Sequence, residues 1–452
     1  MRKPISVRLV IGVGILTGSL LVGACNPQAL PNLVLITLDT TRSDHLSLYG
    51  YPLKTTPNID QIAAEGVWIQ HAYAPMPATQ PSHSSIFTSL YPMAHGVEQN
   101  GHVLGSAAGT LTSVLKGRGY QTAAFVSSFV LNHKFGLSQG FDRYDDEWES
   151  RSSSAVFQFD GKKIKGEYER RGDATTRRAT QWLTQERSRD LPFFLWVHYF
   201  DAHDPYDPPE PFRSRYLAGA PLDGRNAGYD GEIAFVDAQV GALDRALDTM
   251  GLKGHTLLVI VGDHGEGLGQ HNHQAHSALI YEEAVRVPFL LRWPSVIPAG
   301  RSIEGPAELV DVMPSVLGLM EIPAASLGLQ GRNLAAVFKG LSVADHDRPV
   351  LLQRETYFEG AEVDGLAIKG TKLAIRSGRF KYIEARAEGT RELYDLVSDP
   401  GELHNLVAEK GQIAATLAAA LKDLKRRFAR AHSGQTVSDE DRERLKALGY
   451  VR

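Results

Sequence analysis

Cysteine is nearly absent. The 452 residues include one, Cys25, so the chain forms no intrachain disulfide and has no thiolate cluster for a soft metal. Runs of one charge are also missing. Lys and Arg number 48 against 52 Asp and Glu, a formal net charge of -4, and the two signs are mixed along the chain. That balance excludes the basic footprint of a nucleic-acid-binding protein. No internal repeat and no low-complexity segment interrupts the sequence. Gly (43) and Pro (23) are frequent but scattered, which fits many tight connections rather than disorder. The length allows a sizeable core and two domains.

The longest apolar run comes first. Arg2, Lys3 and Arg8 precede Leu9 to Val22, and the run closes at Leu21-Val22-Gly23-Ala24-Cys25. It is short for a stable membrane-spanning helix and is followed at once by "NPQALPN". It resembles a bacterial lipoprotein signal, with a plain signal peptide or short anchor as the alternative. Lipidation at Cys25 is therefore expected, which places the protein in the bacterial cell envelope, periplasmic or surface-exposed, with a soluble domain held at the membrane by lipid.

Three segments read as continuous apolar strands: Leu33–Leu38 ending at Asp39, "LPFFLWVHYFDAHDPYDPP", and Leu257–Val261 running into "GDHGEG". Helical patterns lie between them, at Pro57–Gly66, Ser82–Leu90, Leu111–Arg118, Asp173–Glu186 and Asp230–Met250. Alternating helices and fully apolar strands predict an α/β domain with a mostly parallel sheet sandwiched by helices. After about residue 345 the texture becomes short strands with Gly turns, then one helix, which predicts a small antiparallel subdomain. The expected organisation is a signal segment at 1–25, a catalytic domain at 31–345, an α+β subdomain at 346–430 and a polar tail at 431–452.

In such sheets the ligand site lies at strand C-termini. Asp39, Asp263 and His264 stand at such ends. Thr79, in "PATQPSHSSIF", precedes Pro81 at a helix start, where free N–H groups attract an anion. Two carboxylates, an imidazole and a hydroxyl suit one hard divalent cation, Ca²⁺, Mg²⁺, Mn²⁺ or Zn²⁺. That cation would polarise an ester oxyanion and acidify a bound hydroxyl. His198, inside an apolar strand, reads as a core histidine rather than a ligand. His271, His273 and His276 form a histidine-rich loop.

Taken together and in order, "PNLVLITLDTTRSDHLSLYGY", "TQPSHSSIFTSLYPMAHGV", "VGDHGEGLGQH", "YEEAVRVPFLLRWP" and "ELYDLVSDPGELHNL" resemble the sulfatase family of the alkaline phosphatase superfamily. The resemblance implies that Asp39, Thr79, Asp263 and His264 hold the metal and that Thr79 is the nucleophile. It implies that His203 and His276 act as general acids or anion contacts, and that His83, Asn100 and His203 face the substrate. The departures are specific. Sulfatases of this family use formylglycine made from Cys or Ser, and oxidised threonine would be a ketone, so no formylglycine is expected. The motif arginine is His83, a second aspartate is Thr40, and a lysine is Ser277. The reading is a hydrolase of phosphate or sulfate esters, phosphoesters favoured, acting on a small-molecule, glycan or lipid ester. A phospho-head-group transferase and a degenerate anion- or glycan-binding lipoprotein are the alternatives.

Overall fold

The structure is a computed structural model. It describes residues 30–147, 157–159, 162–164, 169–218, 225–354, 356–363, 365–429 and the short pieces 435–436, 438, 441 and 444–445. Cys25 and the N-terminal segment expected to be a signal, and most of residues 148–168, lie outside the described residues. Among those described, no helix is long and apolar enough to cross a membrane.

The strand Asn32–Leu38 is buried at every position. Leu33 and Leu35 enter one apolar core, while Val34, Ile36 and Leu38 enter another on the opposite face. A strand apolar at nearly every position therefore has to sit in mid-sheet with both faces covered, because either face left wet would expose aliphatic surface. It pairs in parallel with Thr256–Gly262 on one side and Phe193–Tyr199 on the other. The full eight-stranded order is 301–303, 67–69, 289–292, 256–262, 32–38, 193–199, 121–125, 143–145. Only the pairings made by Phe289–Arg292 are antiparallel. The mostly parallel sandwich expected from the strand pattern is thus present.

The last residues complete the second expectation. A four-stranded antiparallel sheet runs in the order 350–353, 373–377, 380–385, 390–395. Helix Gly411–Phe428 packs Leu417, Leu421 and Phe428 against it. Among the helices one boundary matters for function. The helix predicted to begin at Ser82 begins at Thr79 and runs to Thr88, all ten residues buried. Ala78 is extended, and Pro81 then falls in the first turn, where its missing N–H costs no hydrogen bond. The shift makes Thr79 the first helical residue.

Candidate active site and metal centre

Register brings the site together. Leu38 lies beside both Gly262 and Tyr199, so the next residues, Asp39 and Asp263, emerge side by side at the sheet's C-terminal edge. Their backbone N–H groups continue the ladder, to Tyr199 O at 2.9 Å and Leu38 O at 3.1 Å. A Cβ at Gly265 would fall 2.0 Å from Glu283 O, so this glycine admits the neighbouring chain against the loop that carries His264.

Each carboxylate has one oxygen tied down and one without a partner. Asp263 Oδ1 accepts from the N–H groups of Thr40 (3.1 Å) and His264 (2.7 Å). Asp39 Oδ2 accepts from His198 Nε2–H at 3.1 Å. Asp39 Oδ1 and Asp263 Oδ2 are fully buried and, among the described residues, accept no hydrogen bond. Thr40 holds φ at +47°, an uncommon conformation for a β-branched residue; it turns the N–H inward to Asp263.

His264 completes the triangle. Its Nδ1–H donates to Gly265 O at 2.9 Å, which leaves the Nε2 lone pair facing inward. Nε2 lies 3.6 Å from Asp263 Oδ2, 3.9 Å from Asp39 Oδ1 and 3.2 Å from Thr79 Oγ1. Ligands about 2.1 Å from one cation stand roughly 3–4 Å apart, so the set fits a hard divalent ion. Electrostatics agree. Burial pushes Asp39 up to about 8, and burial followed by the charge of Asp39 pushes Asp263 well above the carboxylate range. Burial, then the neighbouring His276, drives His264 well below the usual imidazole value. Two crowded acids and a neutral imidazole form a cluster that a cation would relieve.

A second set of potential ligands, His83, His198 and Asp263, lies next to the first, but its nitrogens are spent. His83 Nδ1–H donates to Thr79 O at 2.7 Å. Trp196 Nε1–H fills one side of Thr37 Oγ1, leaving that hydroxyl to donate to His83 Nε2 at 2.9 Å. His198 Nδ1 accepts from Ser127 N–H at 3.3 Å. A single cation at Asp39, Asp263 and His264 is the better match to the hydrogen bonding.

The other expected site residues divide. His276 stands over His264, ring centroids 4.7 Å apart, and 5.0 Å from His203. Its Nδ1 is 3.3 Å from Glu266 Oε1. Burial works against the imidazolium, but Glu266, then Asp39 and Asp263, hold His276 above its ordinary value. His203 is stacked on Phe200 at 4.4 Å, and its Nδ1–H donates to Asp204 O at 2.6 Å. His83 and Asn100 are buried beside helix Thr79–Thr88 and hydrogen-bonded to protein groups: Asn100 Oδ1 accepts from Gln80 N–H at 3.0 Å. In the arrangement described they fix the start of that helix. His271 stacks on Tyr281 and pairs with Glu283 at 2.7 Å, outside the cluster.

Two residues of the site escaped the sequence reading. His198 is buried and hydrogen-bonded as a core histidine would be, yet its Nε2–H orients Asp39. Its polarity near the end of an otherwise apolar strand was the available signal. Glu266 is fully buried and pairs with His276; an acid two residues after His264, inside "GEG", was the corresponding hint.

With the geometry in place, comparison with known proteins decides the family. The Sulfatase family model matches residues 31–322. The chain belongs to the sulfatase family. A second family model, N-sulphoglucosamine sulphohydrolase C-terminal, matches residues 269–427. Relatives include the ulvan-active sulfatase of Formosa agariphila, 26% identical over 84% of this chain and 77% of that protein. Human arylsulfatase A is 26% identical over 87% of each chain. Similar solved folds include the phosphonate monoester hydrolase of Agrobacterium radiobacter, with TM-score 0.74 and 21% identity, covering 90% of this chain and all of that one. Another is a protein solved with its substrate D-glucosamine-2-N,6-O-disulfate, with TM-score 0.72 and 22% identity, covering 88% of this chain and 98% of that one. This sulfatase-family chain is a hydrolase with an alkaline-phosphatase-like fold and a candidate metal centre at its strand ends.

Proposed function

We propose that the protein hydrolyses an oxyanion ester through a covalent ester on Thr79, with phosphoesters turned over faster than sulfate esters. The observation that carries this reading is the Thr79 hydroxyl, 3.2 Å from His264 Nε2, on the first turn of a helix and beside two unpartnered carboxylate oxygens.

Asp39, Asp263, His264 and Thr79 would hold one divalent ion, Ca²⁺, Mg²⁺, Mn²⁺ or Zn²⁺. When bound, it supplies charge neutralisation at the transferred group and a lower pKa for the Thr79 hydroxyl. The chain's own residues do the rest. In the first turn of helix Thr79–Thr88, Asn100 Oδ1 takes the Gln80 N–H, Pro81 has none and Ser82 N–H donates to Ala78 O, so the backbone donor left to orient the anion is the Thr79 N–H. Thr79 Oγ, its proton released to solvent water, attacks phosphorus as the bond to the leaving oxygen breaks, and that oxygen takes a proton from His276, whose charged form Glu266 favours. His203, 5.0 Å away ring to ring, lines the leaving-group side. Water then attacks phosphorus with His276 as base, the P–Oγ bond breaks, and Thr79 regains its proton.

The preference follows from the nucleophile. A formylglycine hydrate can expel sulfate by elimination from its second hydroxyl. A threonine ester has no such hydroxyl and must be attacked directly, which is open at phosphorus and slow for a sulfate ester. The names of the relatives favour a second reading, hydrolysis of sulfate esters on a glycan.

Aryl phosphate monoesters and diesters, an aryl phosphonate ester and an aryl sulfate separate the two readings when assayed with metal-loaded wild type, Thr79→Ala and Thr79→Ser. Thr79→Ala is expected to lose about 10³-fold or more in turnover, while Thr79→Ser retains part of it. Multiple-turnover sulfate hydrolysis without phosphoesterase activity would overturn the preference. Undiminished activity of Thr79→Ala would overturn the nucleophile. Transfer to an added alcohol in place of water would identify a transferase.

A further inference from the structure

A cavity of about 330 Å³ opens where the small sheet of Ala72–Tyr73, Arg286–Val287 and Ala307–Glu308 meets the C-terminal antiparallel sheet. Arg286 and Tyr73 line it from one side, Arg376 and Arg379 from the other, with His71 between. Its volume is at the lower end of the range for small-ligand pockets.

The arginines are the anomaly. Arg286 donates one bond, Nη2 to Gln70 O at 2.9 Å, and its buried Nε has no partner. Arg376 has buried Nε and Nη1 groups with no partner, and its guanidinium lies 5.7 Å from the Tyr73 ring centre. Among the described residues neither arginine makes an ion pair. Two neighbouring cations do: Arg379 grips Asp395 with two bonds of 2.6 Å, and Lys381 pairs with Glu282 at 3.1 Å. Glu282, the acid within the cavity wall, shares Lys381 with Glu402, 3.0 Å from the same ammonium, and accepts from the Tyr73 hydroxyl at 3.1 Å; its charge also acts on Arg286 and Arg376, which together outnumber it. The two other acids of the lining, Glu304 and Asp347, are exposed at the rim. Burial, followed by the charges of Arg286 and Arg376, pulls His71 down to about 4, as expected inside a positive cavity.

Buried guanidinium N–H groups left unpaired are costly, and their fork matches a tetrahedral or planar oxyanion. We propose that Arg286 and Arg376 form a second oxyanion site, separate from the metal centre, which takes sulfate, phosphate or a sugar monoester of either. This goes beyond the catalytic reading and does not depend on it. Two guanidinium groups without an ion-pair partner favour an anion over a cation, and the apolar part of the wall, Pro306, Leu396, Val397 and Pro400, leaves room for the carbon skeleton of an ester.

The test uses crystals of the full chain soaked in sodium selenate, whose selenium is located by anomalous scattering, together with calorimetric titration in solution. Wild type is expected to show selenate between the two guanidinium groups. Arg376→Gln is expected to lose that peak and to bind at this site about tenfold more weakly or worse, the loss typical of a charged hydrogen bond. Arg376→Lys keeps the charge without the fork and should fall between. Arg376 has no protein ion pair to lose, so unchanged melting temperatures would verify that both variants fold. A wild-type cavity without selenate, or a peak and affinity that persist in Arg376→Gln, would overturn the site. Displacement by glucose 6-sulfate at lower concentration than by inorganic sulfate assigns it to an esterified anion. Equal or weaker displacement assigns it to the free ion.

Discussion

Two regions of this molecule handle buried charge in opposite ways. At the C-terminal edge of the parallel sheet, Asp39 and Asp263 are buried with one oxygen each unpartnered. At the junction with the C-terminal sheet, Arg348 donates to both Glu308 and Asp311 at 2.8 Å. Glu308 also accepts from the Tyr91 hydroxyl at 3.0 Å and from Leu351 N–H at 3.1 Å. Both regions are equally dry. A buried acid surrounded by donors closes on itself and is architecture. A buried acid with an idle oxygen costs free energy in the empty protein, and that cost is recovered when a ligand arrives. Buried charge alone therefore does not mark a site, whereas its unsatisfied remainder does.

Asp263→Asn gives the largest expected break in this contrast. It should lower metal occupancy and reduce activity by about 10²–10³-fold, as when one electrostatic partner of a transition state is removed. In metal-depleted protein it should raise the melting temperature, because it removes one of two adjacent buried carboxylates. Added divalent metal should stabilise wild type more than the variant. These are read by metal analysis, turnover and thermal melts with and without chelator. A variant that keeps its metal and full activity, or that melts lower than wild type when both are metal-free, would place Asp263 among the structural acids.

Arg348→Met tests the other pole and should act on stability. Removing the cation leaves Glu308 and Asp311 facing each other in a dry interior, at a cost of about 3–5 kcal/mol. Turnover per folded molecule should stay at the wild-type value. Denaturant unfolding and active-site titration measure the two quantities independently. A loss of stability under 1 kcal/mol, or a specific loss of turnover, would end the architectural reading of this trio.

The same contrast explains what could be read from the sequence. Asp39, Asp263 and His264 were legible because each ends an apolar strand, and local pattern suffices to place a residue at a strand end. Thr79 was legible through Pro81, although the helix begins three residues earlier than the pattern implied. The antiparallel subdomain followed from its alternating strands and Gly turns. His198 and Glu266 were hidden. The role of His198 depends on the register that sets Thr37 beside it and points its ring at Asp39. That of Glu266 depends on a loop folding back over its own histidine. Nor could sequence distinguish Arg348, which is satisfied, from Arg376, which is not. Satisfaction is a property of long-range partners, and periodicity carries none of it.

His95 offers the smallest effect and the sharpest test, because it is a buried titratable group satisfied entirely by neutral partners. Its Nδ1 accepts the N–H of Val97 at 3.1 Å, so Nε2 carries the proton and donates to Ser85 Oγ at 3.1 Å. Protonation would place a second hydrogen against that backbone N–H. Burial accordingly pulls His95 down to about 3, whereas an unfolded histidine titrates near 6.5. Between those values the unfolded chain binds a proton that the folded chain refuses. Its contribution to stability is therefore complete above pH about 6.5 and declines as the pH falls toward 3, by roughly 1.4 kcal/mol per pH unit in mid-window. His95→Gln removes this proton from the balance. The variant should be less stable than wild type at pH 7 but lose stability less steeply on acidification, so the two curves converge between pH 6 and pH 4. Unfolding free energies from urea titrations at pH 7, 6, 5 and 4 measure both slopes, and the other buried histidines cancel in the difference. Parallel curves would mean that His95 titrates alike in both states. Neutral satisfaction would then fail to hold a buried base uncharged, and the distinction between closed and open buried groups would rest on the charged pairs alone.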